Sequence, residues 1–285
     1  MSIKSLGKRL ASKILYSPRN RVDIVVKTID YHHVFEGKKI VITGGGRGIG
    51  YAIAKKLVGE GGDVIIVGRN IKKMEFVCEE LKPHVHYIEQ DLSENFDYKE
   101  FINRCVEIFG ATIDILVLNA GISLHEKSFL EVTRQGFDLQ YNVNLKTSYF
   151  LAQSFLEYKL NREESGELLF ISSETGDKSV DIPYGMTKAS INSLVGGLAR
   201  RVYQRGIRVN AISPGVTFTD MTNNEKDRMD FSNSGIAGRF FLPDEIAEVA
   251  FFILSDASKS INGEIIHCDA GSHLKINGYE SEYSF

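Results

Sequence analysis

From Lys38 onward the chain alternates two hydrophobic patterns. Short, continuously apolar runs rich in Val, Ile and Leu occur at 39–43, 63–67, 85–89, 113–119, 168–172, 208–213 and 265–268. Successive side chains of a strand point to opposite faces, so a run that is apolar throughout predicts a strand covered on both sides. Between these runs lie stretches whose apolar residues recur every three or four positions, as on one face of a helix; 49–58, 137–160 and 188–204 are examples. Strand and helix in this cadence predict right-handed βαβ crossovers. The expected architecture is a doubly wound three-layer α/β sandwich around a mostly parallel seven-stranded sheet. No Pro/Ser-rich linker or internal repeat divides residues 37–285, which read as one domain with a short C-terminal tail. In open sheets of this kind the ligand crevice lies beyond the carboxyl ends of the strands. Chemistry is therefore expected at 43–50, 68–70, Asp91, 119–121, 172–173 and 213–219, all of which follow a strand.

Composition narrows the function classes. With 43% apolar and 25% charged residues among 285, the chain is an ordinary globular one. A formal net charge of −3 is too near neutral for a dedicated nucleic-acid binder. The cysteines, Cys78, Cys105 and Cys268, are widely spaced and read as reduced thiols, which suits a cytoplasmic setting. No apolar run reaches the roughly 18 residues of a membrane span. Charge is uneven, however: residues 1–22 hold six Lys or Arg and no acid, leaving −9 for the remainder. Ile3, Leu6, Leu10 and Ile14 share one helix face there. Residues 1–36 thus read as a basic, partly helical extension. Packing on the body or a partner subunit is the leading expectation; a membrane-surface helix and an organelle transit peptide, leading to a matrix location, are the alternatives.

The first predicted strand runs into Thr43-Gly44-Gly45-Gly46-Arg47-Gly48-Ile49-Gly50, followed by a helix. Glycines here permit a tight turn and close approach of a pyrophosphate to the main chain, while the first helical amides face the phosphates. The second strand ends Val67-Gly68-Arg69-Asn70, without the carboxylate that would hold a ribose 2′-hydroxyl. Arg69 and Arg47 instead suit a 2′-phosphate. The expected cofactor is NADP rather than NAD.

Two Tyr-x-x-x-Lys pairs occur, and i, i+4 spacing makes each pair helix neighbours. Tyr51 and Lys55 sit on the helix behind the glycine turn. Tyr184 and Lys188 follow a buried strand that ends in Ser172 and Ser173, where acid–base chemistry becomes coherent. A phenol with a pKa near 10 must be lowered by about 3 units, roughly 4 kcal/mol, to act as a base at neutral pH. Lys188 is expected to supply part of that, and Ser173 to stabilise charge on a substrate oxygen.

With these motifs in order, the chain from about Gly37 to Leu274 resembles the single-domain short-chain dehydrogenase/reductase family, whose glycine motif is T-G-x-x-x-G-x-G and whose fold is a Rossmann fold. The resemblance implies that Thr43, Gly44, Gly46, Arg47, Gly48, Ile49 and Gly50 cradle the dinucleotide and that Asp91 and Leu92 lie at the adenine. It implies that Asn119, Ala120 and Gly121 stabilise the sheet near the cofactor. Asn144, just before Leu145, completes a catalytic tetrad with Ser173, Tyr184 and Lys188 by holding a water that links Lys188 to solvent. Lys188 also binds the ribose, beside Tyr184. Pro214, Gly215, Val216 and Thr219 embrace the nicotinamide. The resemblance further implies a homotetramer or dimer through the long helices.

The Ser173–Tyr184 interval of eleven is shorter than the family's usual one. Ser172 therefore remains a second candidate, although the Ser-x-x-Gly pattern ending at Gly176 favours Ser173. Leu124, Val180, Ile182, Phe218, Met221 and Phe231 are the candidate lining of an apolar substrate pocket. His84 and His86 lack a ligand cluster, so no metal is expected, and Glu163-Glu164 reads as a solvated turn. The expected activity interconverts a small-molecule carbonyl and a secondary alcohol, as 3-oxoacyl reductases do. An NAD-dependent sugar or polyol dehydrogenase and a non-catalytic nucleotide-binding scaffold are the alternatives.

Overall fold

The computed structural model describes residues 32–222 and 236–274. The expectations for Ile3, Leu6, Leu10, Ile14 and the surrounding cations, and for Phe231, fall outside the described residues. Within them, seven strands form one sheet: β1 (Lys39–Thr43), β2 (Asp63–Gly68), β3 (Val85–Glu89), β4 (Ile115–Leu118), β5 (Gly166–Ile171), β6 (Ile207–Pro214) and β7 (Ile265–Cys268). Every pairing is parallel and the order is β3-β2-β1-β4-β5-β6-β7. The chain winds outward from β1 to β3, then restarts on the other side of β1 at β4. That reversal opens a crevice above the carboxyl ends of β1 and β4.

Among the described residues, seven helices cover the sheet: α1 (Gly48–Gly59), α2 (Ile71–Leu81), α3 (Tyr98–Phe109), α4 (Arg134–Tyr141), α5 (Thr147–Asn161), α6 (Pro183–Val202) and α7 (Pro243–Leu254). Alternate strand residues feed two cores. Val41, Leu116 and Leu168 pack with Phe101, Phe155 and Val195 of α3, α5 and α6. Ile40, Ile42 and Val117 pack with Ile53, Met74 and Phe251 of α1, α2 and α7. Central strands buried on both faces are what continuous apolar runs require.

Differences from the sequence pattern have local causes. β5 begins at Gly166, before its apolar run, because Glu167 pairs with Arg208 of β6 at 2.9 Å in place of apolar contacts. α6 begins at Pro183, whose ring suits the first helical position. The stretch 137–160 is not one helix. It starts at Arg134, capped by Thr133, and passes through a π-helical turn at Asn142–Lys146 before α5. There the Thr147 N–H donates to Asn142 O, five residues back.

Candidate active site

The glycine turn is built by close approach. Gly44 adopts a φ of +69°, in the left-handed region. A Cβ on Gly50 would lie 2.4 Å from the Gly44 carbonyl oxygen, so the first turn of α1 can sit on the loop only without a side chain there. Gly45, which the motif leaves variable, is equally confined, because a Cβ would meet Ile66 at 2.5 Å. The turn is clamped from β4. Thr43 Oγ1 accepts from the N–H groups of Asn119 and Ala120 at 3.0 and 3.1 Å. Asn119 Nδ2 donates to the carbonyls of Thr43 and Gly44 at 2.9 and 3.2 Å. Ile49 follows Gly48 in the first turn of α1. The result is a side-chain-free cradle at a helix N-terminus, which fits a pyrophosphate.

Charge around the cradle is paired, in one case across the crevice. Arg47 Nη1 lies 3.0 Å from Asp220 Oδ2, and Arg69 Nη1 lies 3.8 Å from Asp91 Oδ2. Asp91 also accepts from the Ser93 hydroxyl and N–H, and these bonds hold its carboxyl below the usual range. Leu92 is buried in the core, and its carbonyl accepts from Thr147 Oγ1 at 2.8 Å. On the opposite wall Pro214 ends β6. A Cβ on Gly215 would strike Phe241 at 2.8 Å. Val216 O accepts from the Phe241 N–H at 3.0 Å. The Thr219 methyl lies against Gly48, 3.2 Å from where a Cβ would stand. The loop after β6 thus closes onto the start of α1.

The four tetrad candidates converge at the carboxyl ends of β4 and β5. Ser173 caps the short helical turn Glu174–Asp177 and lies within hydrogen-bonding reach of the Tyr184 phenol. Ser172 points elsewhere, donating to Asn192 Oδ1 of α6 at 2.5 Å. Of the two serines, Ser173 shares the crevice with Tyr184. One helical turn beyond Tyr184, Lys188 Nζ is buried, donates to Ile171 O at 2.8 Å and sits 5.7 Å from the tyrosine ring centre. Gly121 leaves space beside it: a Cβ there would stand 3.5 Å from Lys188 Nζ and 3.6 Å from Asn144 Oδ1. Asn144, in the π-helical turn, bonds both backbone groups of Ile122 at 2.8 and 2.9 Å. It also donates to Thr187 Oγ1 at 3.2 Å, and Thr187 in turn donates to Tyr184 O at 2.6 Å. The Asn144 amide is therefore committed to bracing the loop after β4 against α6.

Titration departs from the sequence expectation. The Tyr184 phenol lies above its ordinary value rather than below it. Burial raises the Tyr184 pKa, the Glu174 charge adds to this, and only the Ser173 hydrogen bond opposes it. Burial also lowers Lys188, to about 8. The cause is shared desolvation: taking both groups out of water disfavours phenolate and ammonium alike.

Residues 44–273 match a family model described as enoyl-(acyl carrier protein) reductase. A 3-oxoacyl-(acyl-carrier-protein) reductase of Aquifex aeolicus is 34% identical over 83% of this chain and 97% of its own. An NADP(+) L-rhamnose 1-dehydrogenase of Thermoplasma acidophilum is 30% identical over 85% and 98%. The crystal structure of a Brucella melitensis 3-ketoacyl-(acyl-carrier-protein) reductase complexed with NADH superposes with a TM-score of 0.76 at 29% identity, covering 84% of this chain and all of that one. The chain belongs to the short-chain dehydrogenase/reductase family. It is accordingly an oxidoreductase.

Several features separate this oxidoreductase's site from its surroundings. The second Tyr-Lys pair lies outside the crevice: the Tyr51 hydroxyl and Lys55 both bind Glu80 of α2, the hydroxyl at 2.7 Å. His84 bonds Asp63 at 2.7 Å, and His86 is exposed. Glu164 is not merely a solvated turn residue. Burial pushes its carboxyl up, but bonds from Thr112, buried Lys159 and Arg162 outweigh that and hold it at about 2. Among the pocket candidates, Val180 packs on Gly185, Leu124 leans on Gly136, and Phe218 meets Phe240 edge-on. Ile182 precedes α6, and the Met221 carbonyl bonds His125 Nε2 at 2.9 Å across the mouth.

Sequence reasoning missed His125, Thr187, Lys73 and the pairing of Asp220. Lys73 Nζ reaches the same Asp220 oxygen as Arg47, at 2.7 Å. Its only signal was a position in the first turn of the helix after β2.

Proposed function

We propose that the chain is an NADP-dependent reductase of a small-molecule carbonyl, of the 3-oxoacyl type, working reversibly on the corresponding secondary alcohol. The observation that carries this is the meeting of the Ser173 and Tyr184 hydroxyls at the strand edge, one helical turn from Lys188. When bound, the cofactor supplies the hydride. The glycine cradle from Thr43 to Gly50 would hold its pyrophosphate, Asp91 and Leu92 its adenine, and Arg47 and Arg69 its 2′-phosphate. Gly121, Pro214, Gly215, Val216 and Thr219 would border the nicotinamide half. Lys188 would hold the ribose.

The remaining chemistry belongs to side chains. Ser173 donates a hydrogen bond to the substrate oxygen and stabilises the charge that develops there. Tyr184 passes its phenolic proton to that oxygen. With its pKa raised, Tyr184 rests as the acid, the form that reduction needs. Lys188, held near 8, is poised to return a proton to the tyrosine. Asn144 and Thr187 fix the separation of the elements that carry these groups.

Residues 37–285 would form the catalytic domain, with 1–36 as its basic extension. No helix among the described residues is long and apolar enough to cross a membrane. A cytoplasmic homotetramer or dimer fits the outer face of α4–α6. There Tyr141, Leu145, Tyr149, Phe150 and Leu194 line an open concavity of about 540 Å³.

The test is a panel of 3-oxoacyl thioesters, cyclic ketones and sugars with NADPH and NADH, followed by nicotinamide absorbance. Turnover of the thioesters with NADPH is expected. Cofactor binding without turnover of any carbonyl or alcohol would contradict the proposal. A sugar dehydrogenase is the second reading, favoured by the L-rhamnose 1-dehydrogenase relative at 30% identity. Its signature would be oxidation of free sugars in preference to thioester reduction.

A further inference from the structure

Two cations from different elements converge on one carboxylate oxygen at the rim of the glycine turn. Arg47, the last residue before α1, and Lys73, in the first turn of α2, bond Asp220 Oδ2 at 3.0 and 2.7 Å. Lys73 is held in register because Asn70 Oδ1 accepts from its N–H at 3.0 Å, capping α2. Its Cβ lies 3.9 Å from where a Cβ on Gly46 would stand, so the ammonium stem rises directly beside the cradle. Asp220 comes from the loop after β6, on the far wall of the crevice, with its neighbour Thr219 resting over Gly48. All three charged side chains are about half exposed, so bulk solvent and ligands reach them.

We infer that Asp220 is an internal anion occupying the place of a 2′-phosphate, and that Lys73 is the third cation of that site, so the two residues set discrimination between phosphorylated and unphosphorylated dinucleotides. This rests on the NADP reading above and adds to it. A phosphate dianion brings more charge and more acceptor oxygens than one carboxylate, and exposed ion pairs hold weakly, so the exchange favours the phosphate. An unphosphorylated adenosine offers nothing to exchange. It must bind with Arg47 and Lys73 still committed to Asp220. Asp220 therefore lowers affinity for the phosphorylated ligand, and Lys73 raises it, while neither acts on the unphosphorylated one.

The direct test uses calorimetric titration of the full chain with adenosine 2′,5′-bisphosphate and with 5′-AMP, which need no turnover. Wild type should bind the bisphosphate more tightly. Lys73→Ala should weaken bisphosphate binding about tenfold and leave 5′-AMP within about twofold. Asp220→Asn should tighten the bisphosphate about three- to tenfold, again without effect on 5′-AMP. Unchanged bisphosphate affinity in either variant, or equal shifts for both probes, overturns the inference while leaving the NADP reading intact. Equal affinity of the wild-type chain for the two probes overturns both.

Discussion

At the scale of single residues, the site is two hydroxyls and an ammonium that share one desolvated corner. Lys188 carries a stability signature of its own. Its folded pKa of about 8 lies below the ordinary lysine value of 10.5, so above pH 8 the unfolded chain binds more protons than the folded one. Stability therefore rises with pH from 8 toward 10, by up to about 3 kcal/mol from this group. Beyond that Tyr184, raised in the folded state, acts in the opposite sense. Denaturant unfolding across this range should show the rise in the wild-type chain and its loss in Lys188→Met; an equal slope in both would contradict the burial account. The Tyr184–Lys188 pair was legible because i, i+4 spacing after a Ser-ended strand is local. The Asp220 partnership with Lys73 was not, since 147 positions separate the two and only the fold joins them. Nor was the direction of the Tyr184 shift. Sequence shows the neighbouring charge, whereas burial is a property of packing.

At the scale of elements, the glycine turn shows which positions tolerate side chains. Gly50→Ala places a methyl 2.4 Å from the Gly44 carbonyl, against backbone that cannot yield without opening the turn. It should lower the melting temperature and abolish cofactor binding by fluorescence titration. Gly59→Ala, at the other end of α1 with nothing within 4 Å, should keep binding and gain up to about 1 kcal/mol of helix stability. Similar behaviour of the two variants would refute the packing explanation. The central strands were readable because burial on both faces leaves a continuous apolar run. The π-helical turn at Asn142–Lys146 left no such mark. Its apolar spacing continues through it, and the extra residue per turn shows only in hydrogen bonding. It also carries Asn144, so the element that departs most from regularity holds one of the tetrad candidates.

At the scale of the whole molecule, parallel pairing places every strand's carboxyl end on one rim, and the reversal between β1 and β4 opens that rim to a ligand. The proposed assembly surface lies elsewhere, on the outer face of α4–α6. Gly196 and Gly197 are exposed in the middle of α6, where glycine costs about 1 kcal/mol against alanine. A partner backbone approaching closely would offset that cost. If α6 is the assembly face, Gly197→Leu should shift the mass in light scattering toward smaller species; an unchanged oligomer would remove α6 from the interface. Length and alternating pattern sufficed to read the layers, because each βαβ unit repeats the same rule. They did not reveal which helix faces lie open, because an apolar stripe reads alike whether the sheet or a second chain covers it.

The proposed reaction turns on delivery of a proton by the Tyr184 phenol. Single-turnover reduction of a 3-oxoacyl thioester by NADPH, compared between wild type and Tyr184→Phe, tests it most directly, with NADPH affinity measured on the same samples. Affinity within about twofold and a rate reduced by about 10²- to 10⁴-fold is the predicted result. A phenylalanine variant that turns over within about tenfold of wild type would contradict the mechanism.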